Sequence, residues 1–137
     1  MDNGFVLKLA TKNTFDGWIS FDNGIRLKID YPTLPQKNKL NSILLSGMDF
    51  GKAKSDIKET TNQEFMRLYV KFTVKDWEGL KDDLGHDFKC AVQKDEFGGS
   101  ELQDNLWYML CDDIIQTRVI FNKIAGELEA DELTKKK

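Results

Sequence analysis

Histidine, cysteine and paired carboxylates are the side chains most able to do chemistry, and this chain offers few groupings of them. Its one histidine, His86, stands in a glycine- and acid-rich stretch near Asp82, Asp83 and Asp87, with Cys90 close behind. His86 and Cys90 could give a metal two ligands. A structural zinc takes about four, and no second His or Cys pair is spaced to complete the set. Asp112-Asp113 could serve acid/base work or divalent binding, but adjacent helix residues do not point together, so a solvated helix face is the expectation. Gly98-Gly99-Ser100 before a helix could offer backbone amides to an anion. It lacks the wider Gly-x-x-x-x-Gly-Lys pattern, and reads instead as a flexible entry that lets Ser100 cap that helix. No nucleophile, base and charge stabiliser are brought together, so we expect no catalytic residue, no cofactor, no metal and no enzyme.

The elements that would position these side chains can be read from patterning. Gly17 to Ile29 alternates around Asn23-Gly24, the signature of a β-hairpin. A two-residue loop would pair Phe21 with Arg26 and Ile19 with Lys28. A three-residue loop, Asp22 to Gly24 with Gly24 left-handed, pairs Phe21 with Ile25 and Ile19 with Leu27, keeping one face apolar, and is the register predicted. Phe5 to Leu9 is a candidate edge strand. Thr33-Leu34-Pro35-Gln36 reads as a capping box opening a short helix with Leu40, Ile43, Leu44 and Met48 at helical spacing, ended by Gly47. Residues 48–62 turn polar and read as a mobile connection. Met66, Leu68, Val70, Phe72 and Val74 then alternate with polar partners, which predicts a central strand paired with the hairpin.

The segment 76–100 reads as loop, and Ser100 to Gln103 as a second capping box opening the longest helix. Along it Leu106, Leu110, Ile114, Thr117, Phe121, Ile124 and Leu128 form one apolar stripe, widened by Trp107, Cys111, Ile115 and Val119. Two readings stand: a core helix, or a helix that also faces another chain. The fold expected is α+β, a small antiparallel sheet of N-terminal hairpin plus central strand, packed with one short and one long helix. It spans residues 1–128 as one domain, with a charged tail over 129–137.

The balance of 20 Lys plus Arg against 23 Asp plus Glu gives a net charge of −3, with 40% hydrophobic and 31% charged residues in 137. Such a chain has no electrostatic reason to bind nucleic acid, whose affinity rests on Lys and Arg contacts to phosphate. Its apolar runs fall short of the ~20 residues that span a bilayer. Cys90 and Cys111 form no CxxC pair and no signal peptide is evident at Met1 to Gly4, so both thiols are expected to be buried in a reducing cytoplasm.

Phe72-Thr73-Val74-Lys75-Asp76-Trp77-Glu78-Gly79-Leu80-Lys81-Asp82-Asp83-Leu84-Gly85 runs from a strand into Trp-Glu-Gly, an apolar residue, acids and a glycine. It resembles the tail assembly chaperones of long-tailed bacteriophages, over under half of the chain. It departs from that pattern at Phe88 to Val92, which stands where relatives carry a short Pro-Phe segment. The resemblance implies a non-enzymatic protein of the host cell cytoplasm, absent from the mature virion. It would bind and solubilise the helical tape measure protein, help recruit tail tube protein subunits, and self-associate into a coat. The partner contacts it implies fall on the broad apolar helix, at Trp107, Leu110, Ile114, Ile115, Val119 and Phe121. Trp77, Glu78 and Gly79 are expected to anchor the fold. The family's frequent frameshift near the end of its short reading frame would have its counterpart in Lys135-Lys136-Lys137, a run that adenines can encode, with a solubilising tail as the alternative. Another small phage protein, a virion subunit or a host-enzyme inhibitor, is the competing assignment.

Overall fold

The computed structural model describes residues 16–46 and 54–135. The candidate edge strand at Phe5 to Leu9, the helix stop at Gly47, Met48 and the end of the lysine run lie outside them. The chain is α+β, with four helices and two small antiparallel sheets among the described residues.

The hairpin forms as its alternation requires. Strands β1 (Trp18–Ser20) and β2 (Arg26–Ile29) pair Ile19 with Leu27 across a short 3-10 turn, Asp22–Gly24. The Phe21 amide donates to the Ile25 carbonyl at 2.7 Å, and Gly24 has φ +78°. The three-residue loop is therefore the one adopted. Ile19, Leu27 and Ile29 are buried on one face.

Helix α1 (Leu34–Ser46) starts from a reciprocal capping box. The Thr33 amide donates to Gln36 Oε1 at 2.9 Å, and the Gln36 amide donates to Thr33 Oγ1 at 3.3 Å. Leu40 and Ile43 are buried from this helix, whereas Leu44 is exposed.

The next stretch corrects the sequence reading. Met66 to Thr73 is not a strand but the last turns of α2 (Lys54–Thr73), and residues 54–62 belong to the same helix, so they are not a connection. Only Val74–Glu78 is extended, as β3, which pairs antiparallel with β2 and places Trp77 opposite Leu27. The alternation misled because α2 is enclosed on several sides at its C-terminal end. Met66, Val70, Phe72 and Thr73 are all buried there, and the polar residues between them find partners. Thr73 Oγ1 donates back to the Tyr69 carbonyl at 2.8 Å, and the Arg67 side chain reaches the end of the following helix.

Two further corrections follow in 76–135. The segment read as loop holds a second hairpin, β4 (Val92–Lys94) and β5 (Ser100–Leu102). Its turn is organised by Asp95, whose Oδ1 accepts the Phe97 and Gly99 amides at 2.8 Å each. Ser100 thus lies in a strand rather than at a helix cap, and Gly98-Gly99 belongs to the hairpin turn.

The long helix is two helices, α3 (Asp104–Cys111) and α4 (Ile114–Lys135). At the joint Arg67 Nε donates to the Cys111 carbonyl at 2.9 Å, closing α3. Asp113 Oδ1 accepts the Ile115 amide at 2.9 Å, opening α4 in the manner of an N-cap. Asp112-Asp113 is thus a helix joint, not a continuous solvated face. Since α4 runs on to Lys135 with Leu128 and Asp131 buried, the stretch from 129 is helix rather than tail.

The core lies where the three-stranded sheet, α2 and the α3–α4 pair meet, at Leu27, Val70, Val74, Trp77, Leu102, Leu110, Ile120 and Ile124.

Candidate partner-binding face

The six residues expected to contact a partner separate into three environments. Ile115 and Val119, one turn apart on α4, are 68% and 56% exposed. Leu110 is only 4% exposed and Ile114 is half-buried, so neither offers a free surface. Trp107 and Phe121 are half-buried and committed to α2. The Trp107 indole N–H donates to the Arg67 carbonyl at 2.7 Å and the Lys71 ammonium lies 4.3 Å from the centroid of its ring. Phe121 meets Tyr69 and Phe65 edge-on, at 5.0 and 5.9 Å between centroids. The stripe read along the sequence is accordingly mostly core. Its exposed part is Ile115 and Val119; Tyr108 and Met109 of α3, which the stripe did not include, are exposed as well.

Val119 also borders an apolar groove of about 310 Å³. It is lined by Phe21 and Ile25 of the first hairpin's turn, Leu27, Leu80 and Leu110, and Gln116, Val119 and Ile120 of α4. Sequence reasoning missed this groove, because its walls come from distant segments that patterning treats separately. The Lys123 ammonium stands 5.9 Å from the centroid of the Phe21 ring and so places a positive charge at the rim.

The hairpin β4–β5 is fixed to the helices by buried polar contacts. Gln36 is fully buried; its Nε2 donates to Asp95 Oδ2 and to the Ser100 carbonyl, the latter at 2.9 Å. Lys71 pairs with Asp104 at 2.8 Å and Glu101 at 3.3 Å. Burial works against the Lys71 ammonium, but these two carboxylates outweigh it and raise its pKa, while Lys71 holds the Asp104 carboxyl below the usual range. Lys75 is shifted down by burial, despite nearby acids, and its ammonium donates to the Phe72 and Ser100 carbonyls at 2.8 and 2.9 Å.

Trp77, Glu78 and Gly79 all serve the sheet. Trp77 is 5% exposed, and its indole N–H donates to the Phe88 carbonyl at 2.8 Å. Glu78 forms an exposed pair with Arg26 across β2–β3 at 3.4 Å. Gly79 has φ +84°, and a Cβ there would stand 2.4 Å from the Gly24 carbonyl oxygen.

The His86 side chain is exposed, with Nδ1 3.6 Å from Asp82 Oδ2. Cys111 is buried and Cys90 half-buried; burial pushes both thiols up to about 11, away from the reactive thiolate. Among the described residues no group of three or more His, Cys, Asp or Glu is placed to hold a metal ion, and no helix is long and apolar enough to cross a membrane. No family model matches the chain, and comparison with curated proteins and with solved structures gives no match either.

Proposed function

We propose that this chain is a tail assembly chaperone of a long-tailed bacteriophage, acting by binding and not by catalysis. It holds the apolar helical stripe of the tape measure protein against the outer faces of α3 and α4, keeps that protein soluble, and helps recruit tail tube subunits. It works in the host cell cytoplasm as a self-associating coat and leaves before the virion is complete.

The observation that carries this reading is the exposure of Ile115 on α4 and of Tyr108 and Met109 on α3, at 68%, 64% and 40%. Large apolar side chains left exposed on two consecutive helices are what an interaction surface needs, and an amphipathic helix is a partner that can cover them through side chains one turn apart. The Phe72 to Gly85 resemblance supplies the identity of that helix.

Co-expression with the long helical open reading frame beside its gene tests the proposal. The wild-type chain is expected to raise the soluble yield of that protein and to co-purify with it. Ile115→Asp and Tyr108→Asp, both at exposed positions, are expected to lose the complex while keeping the wild-type circular dichroism. A tape measure candidate that stays insoluble refutes the proposal. Retention of the chain in purified particles would instead identify a virion subunit.

A further inference from the structure

Leu84 is the most exposed large apolar side chain among the described residues, at 80%. It is not on a slack loop. Asp82 Oδ1 accepts the Leu84 and His86 amides at 2.9 Å each, the Gly85 amide donates to the Asp82 carbonyl at 3.0 Å, and the Asp82 amide donates to the His86 carbonyl at 2.8 Å. Below the tip, Lys81 pairs with Asp87 at 2.6 Å and the Phe88 amide donates to the Leu80 carbonyl at 3.1 Å. The turn is closed from base to tip, and it holds a leucine out in water.

The groove between Phe21, Ile25, Val119 and Ile120 has the complementary character. Its volume of about 310 Å³ is roughly ten times the ~30 Å³ share of one water molecule, so it has room for a branched side chain. Leu80, at the base of the Leu84 loop, is one of the residues that line it, so the loop springs from the groove's own border. A two-fold contact is self-complementary, with each copy giving what the other receives, and a chain that carries both a projecting leucine and an apolar groove has both halves of such a contact. The charges match as well. Lys123 stands at the groove's Phe21 wall, and Asp83 precedes Leu84 at the loop tip without an ion-pair partner among the described residues.

We propose that two copies of this chain associate about a two-fold axis by reciprocal insertion of Leu84 into the groove of Phe21, Ile25, Val119 and Ile120, with Asp83 against Lys123. The contact deepens the chaperone reading, on which its purpose in a coat rests, and leaves Tyr108, Met109 and Ile115 for the tape measure.

Sedimentation velocity on the isolated chain, from about 1 μM to about 1 mM, reads the association directly. The wild type is expected to dimerise reversibly. Burying one leucine is worth roughly tenfold or more in an equilibrium constant, and the axis repeats the contact, so Leu84→Ser is expected to raise the dissociation constant about a hundredfold. Val119→Asp is expected to do the same, and both residues are exposed enough for the monomer to keep its wild-type circular dichroism. Asp83→Lys is expected to weaken the dimer, and adding Lys123→Glu to recover it. A wild type that is monomeric throughout, or a Leu84→Ser dimer with the wild-type dissociation constant, overturns the proposal. Because no tape measure is present in this assay, its failure leaves the chaperone reading standing. Failure of the co-expression with the dimer intact refutes only the latter.

Discussion

Gly79→Ala isolates the closest backbone approach in the sheet. Two separate costs arise at this position. The residue has φ +84°, where an L side chain costs roughly 1–2 kcal/mol. The added Cβ would also stand 2.4 Å from the Gly24 carbonyl oxygen and 3.0 Å from its carbon, about an ångström inside ordinary contact, and both are backbone atoms that no rotamer change can move aside. Relief requires shifting the first hairpin's turn, which the Phe21 to Ile25 hydrogen bond holds, and overpacking of this kind costs roughly 1–3 kcal/mol. The total is about 2–5 kcal/mol, a large part of the margin of a typical domain. Gly85→Ala is the control: its φ is +83°, but nothing lies within 4 Å of its Cβ, so only the first cost applies. Urea unfolding of both variants at pH 7 measures the difference. With a slope of about 2 kcal/mol per molar, Gly79→Ala is expected to lower the midpoint by about 1–2.5 M and Gly85→Ala by clearly less. Equal shifts would refute the close approach as the source of the requirement for glycine at 79.

Ile124 and Ile115 lie on the same helix at 0% and 68% exposure, so Ile124→Ala is expected to cost about 2–5 kcal/mol and Ile115→Ala to stay within about 0.5 kcal/mol. Paired urea curves check this, and comparable losses would mean that α4 is packed the other way round. Burial works to raise the Asp95 carboxyl, but the Gln36 amide and the Phe97 and Gly99 amides outweigh it and leave it below its usual range. A depressed native value gives stability that is full above the ordinary aspartate pKa near 3.9 and lost as pH falls through the native one. Asp95→Asn is thus expected to be less stable than wild type at pH 7 and to lose less between pH 7 and pH 3; parallel losses would contradict it. The two thiols have the opposite sign. Raised by burial to about 11, their contribution is full below the ordinary thiol value near 8.5 and declines as pH rises toward 11, so thermal midpoints are expected to fall over that interval.

Local chemistry made parts of this fold legible. The register of the first hairpin follows from which loop length keeps Ile19, Leu27 and Phe21 together, and Thr33 and Gln36 form the capping box that their spacing implies. What patterning could not see was enclosure. Along α2, Lys71 carries its charge in a nearly buried site because Glu101 and Asp104 come to it from a segment thirty residues away. The polar positions that suggested the exposed side of a strand are the points where a helix is tied to its neighbours. The α3–α4 stripe misled for a related reason. Apolar spacing continues across a joint when both helices pack on the same core, so it carries no mark of the break. The marks were Asp113, a good cap, and Arg67, which closes α3 from another helix. The groove needed the hairpin turn and α4 to meet in space.

This division bears on how far the resemblance can be carried. Each residue of Trp77-Glu78-Gly79 has a sufficient reason in the fold: Trp77 fills the core and bonds the Phe88 carbonyl, Glu78 pairs across the sheet with Arg26, and Gly79 admits the Gly24 carbonyl. A tripeptide so occupied marks a strand running into a turn, and any protein built on the same junction would favour it whatever it binds. Function has to be sought where packing makes no demand. Ile115, Val119 and Leu84 meet that condition, since each is a branched apolar side chain more than half exposed, and replacing it by a polar residue would cost the monomer little. Substitutions at these positions, rather than in the motif that suggested a family, separate binding from folding: Ile115 tests the chaperone proposal, and Leu84 and Val119 test the association of two copies.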